Sequence, residues 1–65
     1  MAHNMSTSEK IEFLLRLEPN SKADWEYLQR EIPLEIERAL AENRIKDSLR
    51  LKQKLLALNQ ANRLG

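Results

Sequence analysis

The chain reads as an all-α protein: a short N-terminal helix and an antiparallel helical hairpin, in one domain spanning residues 1–65 and assembled as a dimeric helical bundle. Three observations predict this. Leu, Ala, Glu, Lys, Arg and Gln dominate, β-branched residues are few and the one glycine is the terminal Gly65, a composition that favours helix and leaves no strand candidate. Apolar residues recur with helical spacing in three stretches. Turn-forming residues separate those stretches at Pro19-Asn20 and at Asn43.

The elements follow in order. Residues 1–5 read as a disordered tail, with Met5 a second candidate start. Ser6 and Glu9 have capping-box spacing, each side chain able to satisfy the other's free backbone N–H, and predict a short helix over residues 7–17. Ile11, Leu14 and Leu15 share one face of it, with Phe13 and Leu17 at the margins. Pro19 biases Glu18 away from helical geometry and ends it. Asn20-Ser21 opens the next helix, with Asp24 in the first turn where a carboxylate suits the helix dipole. Pro33 then stands where a helix would normally break. The phase argues for continuity: Trp25, Leu28, Ile32, Ile36, Ala39 and Leu40 fall within one arc of about 120° on both sides of the proline. The reading is therefore one helix over residues 21–42, kinked at Pro33. Asn43 tolerates the left-handed conformation that ends helices, and a last helix runs over residues 44–62.

That last helix carries the strongest functional signal. Ile45, Ser48, Leu49, Leu51, Leu55, Leu56 and Leu58 cover an arc of about 180°, wider than one neighbouring helix can shield. A chain of 65 residues has a marginal core without a staple. With no cysteine there is neither a disulfide nor a thiolate metal site to supply one. Association remains, and it predicts a protein interface through Tyr27, Leu34, Ile45, Leu49, Leu51, Lys52, Leu55, Leu56 and Leu58. Tyr27 and Leu34 point away from the arc of their own helix, toward the first helix or a partner. Lys52 lies inside the apolar arc, where an unpaired ammonium is costly. Its stem snorkels at an interface rim, or its ammonium meets Glu35 or Glu42.

Charge is uneven although the net is only +1. Residues 9–42 hold nine acids against five bases, and residues 43–65 six bases against one acid. The two halves attract, which favours an antiparallel arrangement. Lys46, Arg50 and Lys54 recur every fourth residue as a basic stripe. It reads as a solvated face or a contact for an acidic partner, since nucleic-acid binders interleave aromatics with bases and none follows Tyr27 here. Chemistry has little to stand on. The one histidine, His3, lies in the tail, no phosphate-binding glycine loop exists, and no cofactor, metal or small-molecule substrate is expected. No apolar run approaches the roughly 20 residues of a membrane span, so a cytoplasmic protein is expected.

Two resemblances accompany this reading. The stretch Ile36-Glu37-Arg38-Ala39-Leu40-Ala41-Glu42-Asn43-Arg44-Ile45-Lys46-Asp47-Ser48-Leu49-Arg50-Leu51-Lys52-Gln53-Lys54-Leu55 resembles the UVR motif, a helical hairpin of bacterial excision-repair and Clp-type proteins. Ala39-Leu40 match its apolar pair, Ile45 takes its phenylalanine position, Ser48-Leu49 its small pair, and Leu51, Lys52 and Leu55 the remainder. Asn43-Arg44 replaces the acidic turn and Gln53 the aspartate. The likeness, confined to residues 36–58, implies a self-associating or partner-binding hairpin and no repair role. In length and order of elements the chain is also similar to small co-chaperones of type III secretion needle subunits.

The expected function is that of a non-catalytic interaction module that binds and modulates or stabilises a larger protein, as a homodimer. The alternatives are a nucleic-acid-binding dimer using the basic stripe, a co-chaperone stable only in complex, and a small phage or plasmid regulator that inhibits a host protein.

Overall fold

The computed structural model describes residues 5–64, with side chains through residue 61; residues 1–4 of the expected tail, and His3 among them, lie outside that range. Among the described residues the protein is all-α, with three helices: α1 (Thr7–Arg16), α2 (Lys22–Ala41) and α3 (Ile45–Leu64). None of them is long and apolar enough to cross a membrane.

Local chemistry sets the boundaries. At the start of α1 the Glu9 N–H donates to Ser6 Oγ at 3.1 Å and the Ser6 N–H donates to Glu9 Oε1 at 2.9 Å, so both free amides of the capping box are satisfied. α1 stops one residue short of Leu17, which is extended at φ −67° and ψ 122°; the chain must leave the helix before Pro19. Ser21 caps α2 by accepting from the Asp24 N–H at 3.2 Å, while Asp24 Oδ2 accepts from the Asn20 N–H at 3.2 Å. Asp24 thus satisfies the amide of the residue before the cap as well as complementing the dipole.

α2 runs unbroken through Pro33. Pro33 is exposed, so its ring crowds no neighbouring helix, and the lost N–H falls on the wet side. The turn into α3 is a Schellman motif: Asn43 sits at φ 63°, its N–H donates to the Leu40 carbonyl at 3.0 Å, and the Arg44 N–H donates to the Ala39 carbonyl at 2.7 Å. It reverses the chain, and α2 and α3 pack as a hairpin. α1 lies against both.

The core is one cluster of Ile11 and Leu14 from α1, Leu28, Ile32 and Ala39 from α2, and Leu51 and Leu58 from α3; Leu15, Leu17, Trp25, Tyr27, Ile36 and Leu55 pack around it. On α2 the buried stripe is Leu28, Ile32, Glu35 and Ala39, with steps of four, three and four. It is narrower than the apolar arc read from sequence and displaced toward Glu35. Leu40, expected inside that arc, is 46% exposed. The cause is α1, which approaches α2 from the Tyr27 and Glu31 side and draws the buried stripe away from Leu40.

Glu35 is therefore a core residue, 3% exposed. Its Oε1 has no hydrogen-bond partner among the described residues, and its closest cation is Arg38 Nε at 3.9 Å, beyond hydrogen-bonding reach.

Two stability predictions follow from these positions. Pro33→Ala restores an amide donor toward Gln29 and removes the clash of the ring with the preceding turn, and is expected to stabilise by up to about 3 kcal/mol in urea denaturation; a loss of stability would show that α2 accepts the proline without strain and gains from its rigidity in the unfolded chain. Glu35→Met exchanges an unsatisfied buried oxygen for an apolar chain of similar length, and should stabilise by about 1–3 kcal/mol. A lower denaturation midpoint would mean that Glu35 is held by more than the Arg38 pair.

Candidate protein-binding face

The arrangement of α1 decides which parts of the hairpin remain open. α1 is tied down by polar contacts at both ends and along its length. Thr7 Oγ1 donates to Glu42 Oε2 at 2.7 Å, Lys10 Nζ pairs with Glu31 Oε1 at 3.2 Å, and Arg50 Nη1 pairs with Glu12 Oε2 at 3.1 Å. Lys54 Nζ donates to the Leu15 carbonyl at 2.9 Å and the Leu17 carbonyl at 2.8 Å, satisfying acceptors that the end of a helix leaves free. Tyr27 joins the same junction. Its ring meets Phe13 edge to face at 6.4 Å and 80°, with Lys10 Nζ and Arg30 Cζ each 5.9 Å from its centroid.

These contacts perturb two titrations. Burial pushes the Lys10 ammonium toward deprotonation, but the Glu31 hydrogen bond and the charges of Tyr27, Glu31 and Glu35 outweigh it, leaving its pKa above the ordinary lysine value. The Thr7 hydroxyl, with Arg44 beside it, holds the Glu42 carboxyl below the usual carboxylate range.

All of this lies on one side of the hairpin. At about 100° per residue, Tyr27 and Glu31 stand about 180° around α2 from Ile36 and Leu40. On α3, Arg50 and Lys54 stand about 140° from the line through Ile45, Leu49 and Leu56. The side turned away from α1 therefore carries Ile36 and Leu40 from α2 and Ile45, Leu49 and Leu56 from α3. Ile45, Leu49 and Leu56 are 49%, 52% and 61% exposed, and Ile36 is half-buried. A hydrogen bond from Gln29 Nε2 to Asn59 Oδ1 at 3.0 Å bridges the two helices. Lys52, exposed and in no ion pair among the described residues, sits on the same line as Ile45, Leu49 and Leu56. Four large apolar side chains, Leu40, Ile45, Leu49 and Leu56, each about half in water along one hairpin face, make a patch of the kind that marks interaction sites.

The residues expected at an interface thus separate into groups. Ile45, Leu49, Lys52 and Leu56 come together on the open face. Leu51 and Leu58 do not, being closed into the intramolecular core at 0% and 8% exposure; Leu55 is half-buried against that core. Tyr27 is engaged between α1 and α2. Leu34 is 55% exposed but lies on the Tyr27 side of α2, apart from the open face. Lys52 meets neither Glu35 nor Glu42, whose partners are Arg38 for the first and Thr7 and Arg44 for the second.

The basic stripe is also divided. Lys46 is exposed, Arg50 is paired with Glu12 and Asp47, and Lys54 is spent on the end of α1. Sequence reasoning missed Leu40 as a member of the open face, although its place at the limit of the apolar arc was a usable signal. Among the described residues no group of three or more His, Cys, Asp or Glu is placed to hold a metal ion. No family model, curated protein or solved structure matches the chain.

Lys54→Met keeps the stem and removes the donors. It is expected to cost about 1–3 kcal/mol and to speed hydrogen exchange in residues 7–16 more than in α2 or α3. Uniform loss of protection across all three helices would show that Lys54 does not act through α1.

Proposed function

We propose that this chain is a small, non-catalytic interaction module that grips a protein surface through the α1-free face of its hairpin, and so modulates or stabilises what it binds. The observation that carries the reading is the alignment of Leu40, Ile45, Leu49 and Leu56 on one face, each 46–61% exposed. Burying an apolar side chain of this size is worth about 1.5–3 kcal/mol at full transfer, so a protein that covers the face gains from several at once. The fate of the basic stripe supports the same reading over nucleic-acid binding. Arg50, although exposed, is paired with Glu12 and Asp47, and Lys54 is consumed at the end of α1, leaving Lys46 as the exposed member with no ion pair among the described residues. The resemblance of residues 36–58 to a partner-binding hairpin points the same way.

The test places a photo-crosslinking amino acid, p-benzoylphenylalanine, at position 49 or 56, with position 8 on the outer side of α1 as control. Irradiation in cells followed by mass spectrometry is expected to give protein adducts, to this chain or another, from positions 49 and 56 only. Absence of adducts at both, or equal yields at position 8, would overturn the assignment of the face.

A further inference from the structure

We propose that the occupant of the open face is a second copy of this chain, related by a two-fold axis parallel to the helices so that α2 of each protomer lies over α3 of the other. The inference rests on the reading of the face given above and names what covers it. Three observations on the molecule lead to it.

The first is size. α2 and α3 have 20 residues each, so each is about 30 Å long, and two helices side by side are about 20 Å wide. Their flat projection is about 600 Å², and a corrugated helical face has more accessible surface than its projection. That is the scale of a standard interface, which buries about 800 Å² on each partner. The molecule is itself a slab with Cα extents of 35 × 31 × 15 Å, so a broad face is available to lie against another.

The second is self-complementarity of the apolar groups. Measured from the turn, Leu40 and Ile45 lie at nearly the same height, and so do Ile36 and Leu49. An axis parallel to the helices preserves height, which places Leu40 of one copy on the Ile45 region of the other and Ile36 on the Leu49 region. Four helices in two layers then enclose the leucine line from both sides, as in an antiparallel four-helix bundle.

The third is charge, and it selects the orientation. α2 carries Asp24, Glu26, Glu31, Glu35 and Glu37 against Lys22, Arg30 and Arg38, whereas α3 carries Lys46, Arg50, Lys52, Lys54 and Arg63 against Asp47. Glu26 and Glu37 lie at the outer rim of the α2 half of the face, with Lys46 at the rim of the α3 half and Lys52 within it. An axis perpendicular to the helices would set α2 against α2 and α3 against α3, with like charges opposed. The parallel axis sets the Glu37 of one copy level with the gap between Lys46 and Lys52 of the other. Attraction then occurs twice, once on each side of the axis, as a two-fold interface requires.

Analytical ultracentrifugation of the whole chain tests the proposal, with circular dichroism to verify that each variant remains helical. The wild type is expected to sediment at twice its 7.6 kDa at micromolar concentration. Leu49→Glu should weaken the dimer by about 100-fold or more, since it places a carboxylate in the apolar centre. Glu37→Lys, at an exposed position outside the core, and the double variant Lys46→Glu, Lys52→Glu should each weaken it by about tenfold at low salt. Mixed together, those two chains should form a heterodimer with affinity near that of the wild type, because each then meets its opposite charge at both rims.

A wild type that stays monomeric to millimolar concentration overturns the second copy as occupant, while adducts from position 49 to a different protein would leave the face assignment intact. A dimer indifferent to Leu49→Glu places the interface elsewhere. Loss of dimer in the charge variants without recovery on mixing overturns the α2-over-α3 orientation.

Discussion

The length of α1 relative to the hairpin governs the rest of the structure. Ten residues make a rod of about 15 Å, half the length of either hairpin helix. Such a rod can occupy one side of the groove between α2 and α3 and cannot wrap to the other. Ile11 and Leu14 are buried on that side, with Leu15 and Leu17 packed beside them. The hairpin is thereby given one covered side and one open side, and the apolar content of α3 is divided between them. Leu51 and Leu58 go inward, Ile45, Leu49 and Leu56 outward.

Given this geometry, the polar contacts hold α1 in place more than they stabilise the hairpin. Lys10 and Glu12 reach charged residues of α2 and α3, Thr7 reaches Glu42 at the end of α2, and Lys54 takes the carbonyls where α1 ends. Exposed pairs of this kind contribute little individually, about 0–1 kcal/mol. Lys54 is of another order, because it satisfies two acceptors at a partly buried helix terminus. Through it the end of α1 depends on a residue 37 positions away, and the orientation that leaves the opposite face bare is fixed.

Much of this could be read from the residues, and the exceptions have physical causes. The caps at Ser6 and Ser21, the end at Pro19 and the reversal at Asn43 depend on chemistry among residues at most five apart, which the sequence displays directly. Continuity through Pro33 was legible because phase is preserved across it. The identity of the buried stripe was not. Periodicity of a helix states which residues share a side, whereas the direction from which a third helix approaches decides which part of that side is sealed. Leu40 lost its place to Glu35 for that reason, at a distance of five residues in sequence. The basic stripe is solvated at Lys46 and Arg50, as its spacing implies, but Arg50 also pairs with Glu12 and Lys54 is drawn to the Leu15 and Leu17 carbonyls at the end of α1, contacts that no local pattern displays. On the candidate face, Ile45, Leu49, Lys52 and Leu56 were visible as excess apolar arc with a lysine in it, while Leu51 and Leu58 were indistinguishable from them until α1 and α2 were in position.

The core has a further consequence for association. Among the described residues seven apolar side chains are buried, in company with Glu35 and Ser48. Ser48 satisfies its hydroxyl on the Ile45 carbonyl at 2.7 Å, but Glu35 leaves an oxygen unpaired where α2 turns toward α3. A domain of this size keeps only a small surplus of burial over chain entropy, and such a defect draws on that surplus. Whatever covers the open face adds apolar burial to helices already in place, and it binds the folded chain but not the unfolded one. Folding and occupancy are then linked by mass action: the weaker the isolated core, the larger the share of the folded population that owes its stability to the occupant. The half-covered hairpin makes recognition and stability two readings of the same leucine line.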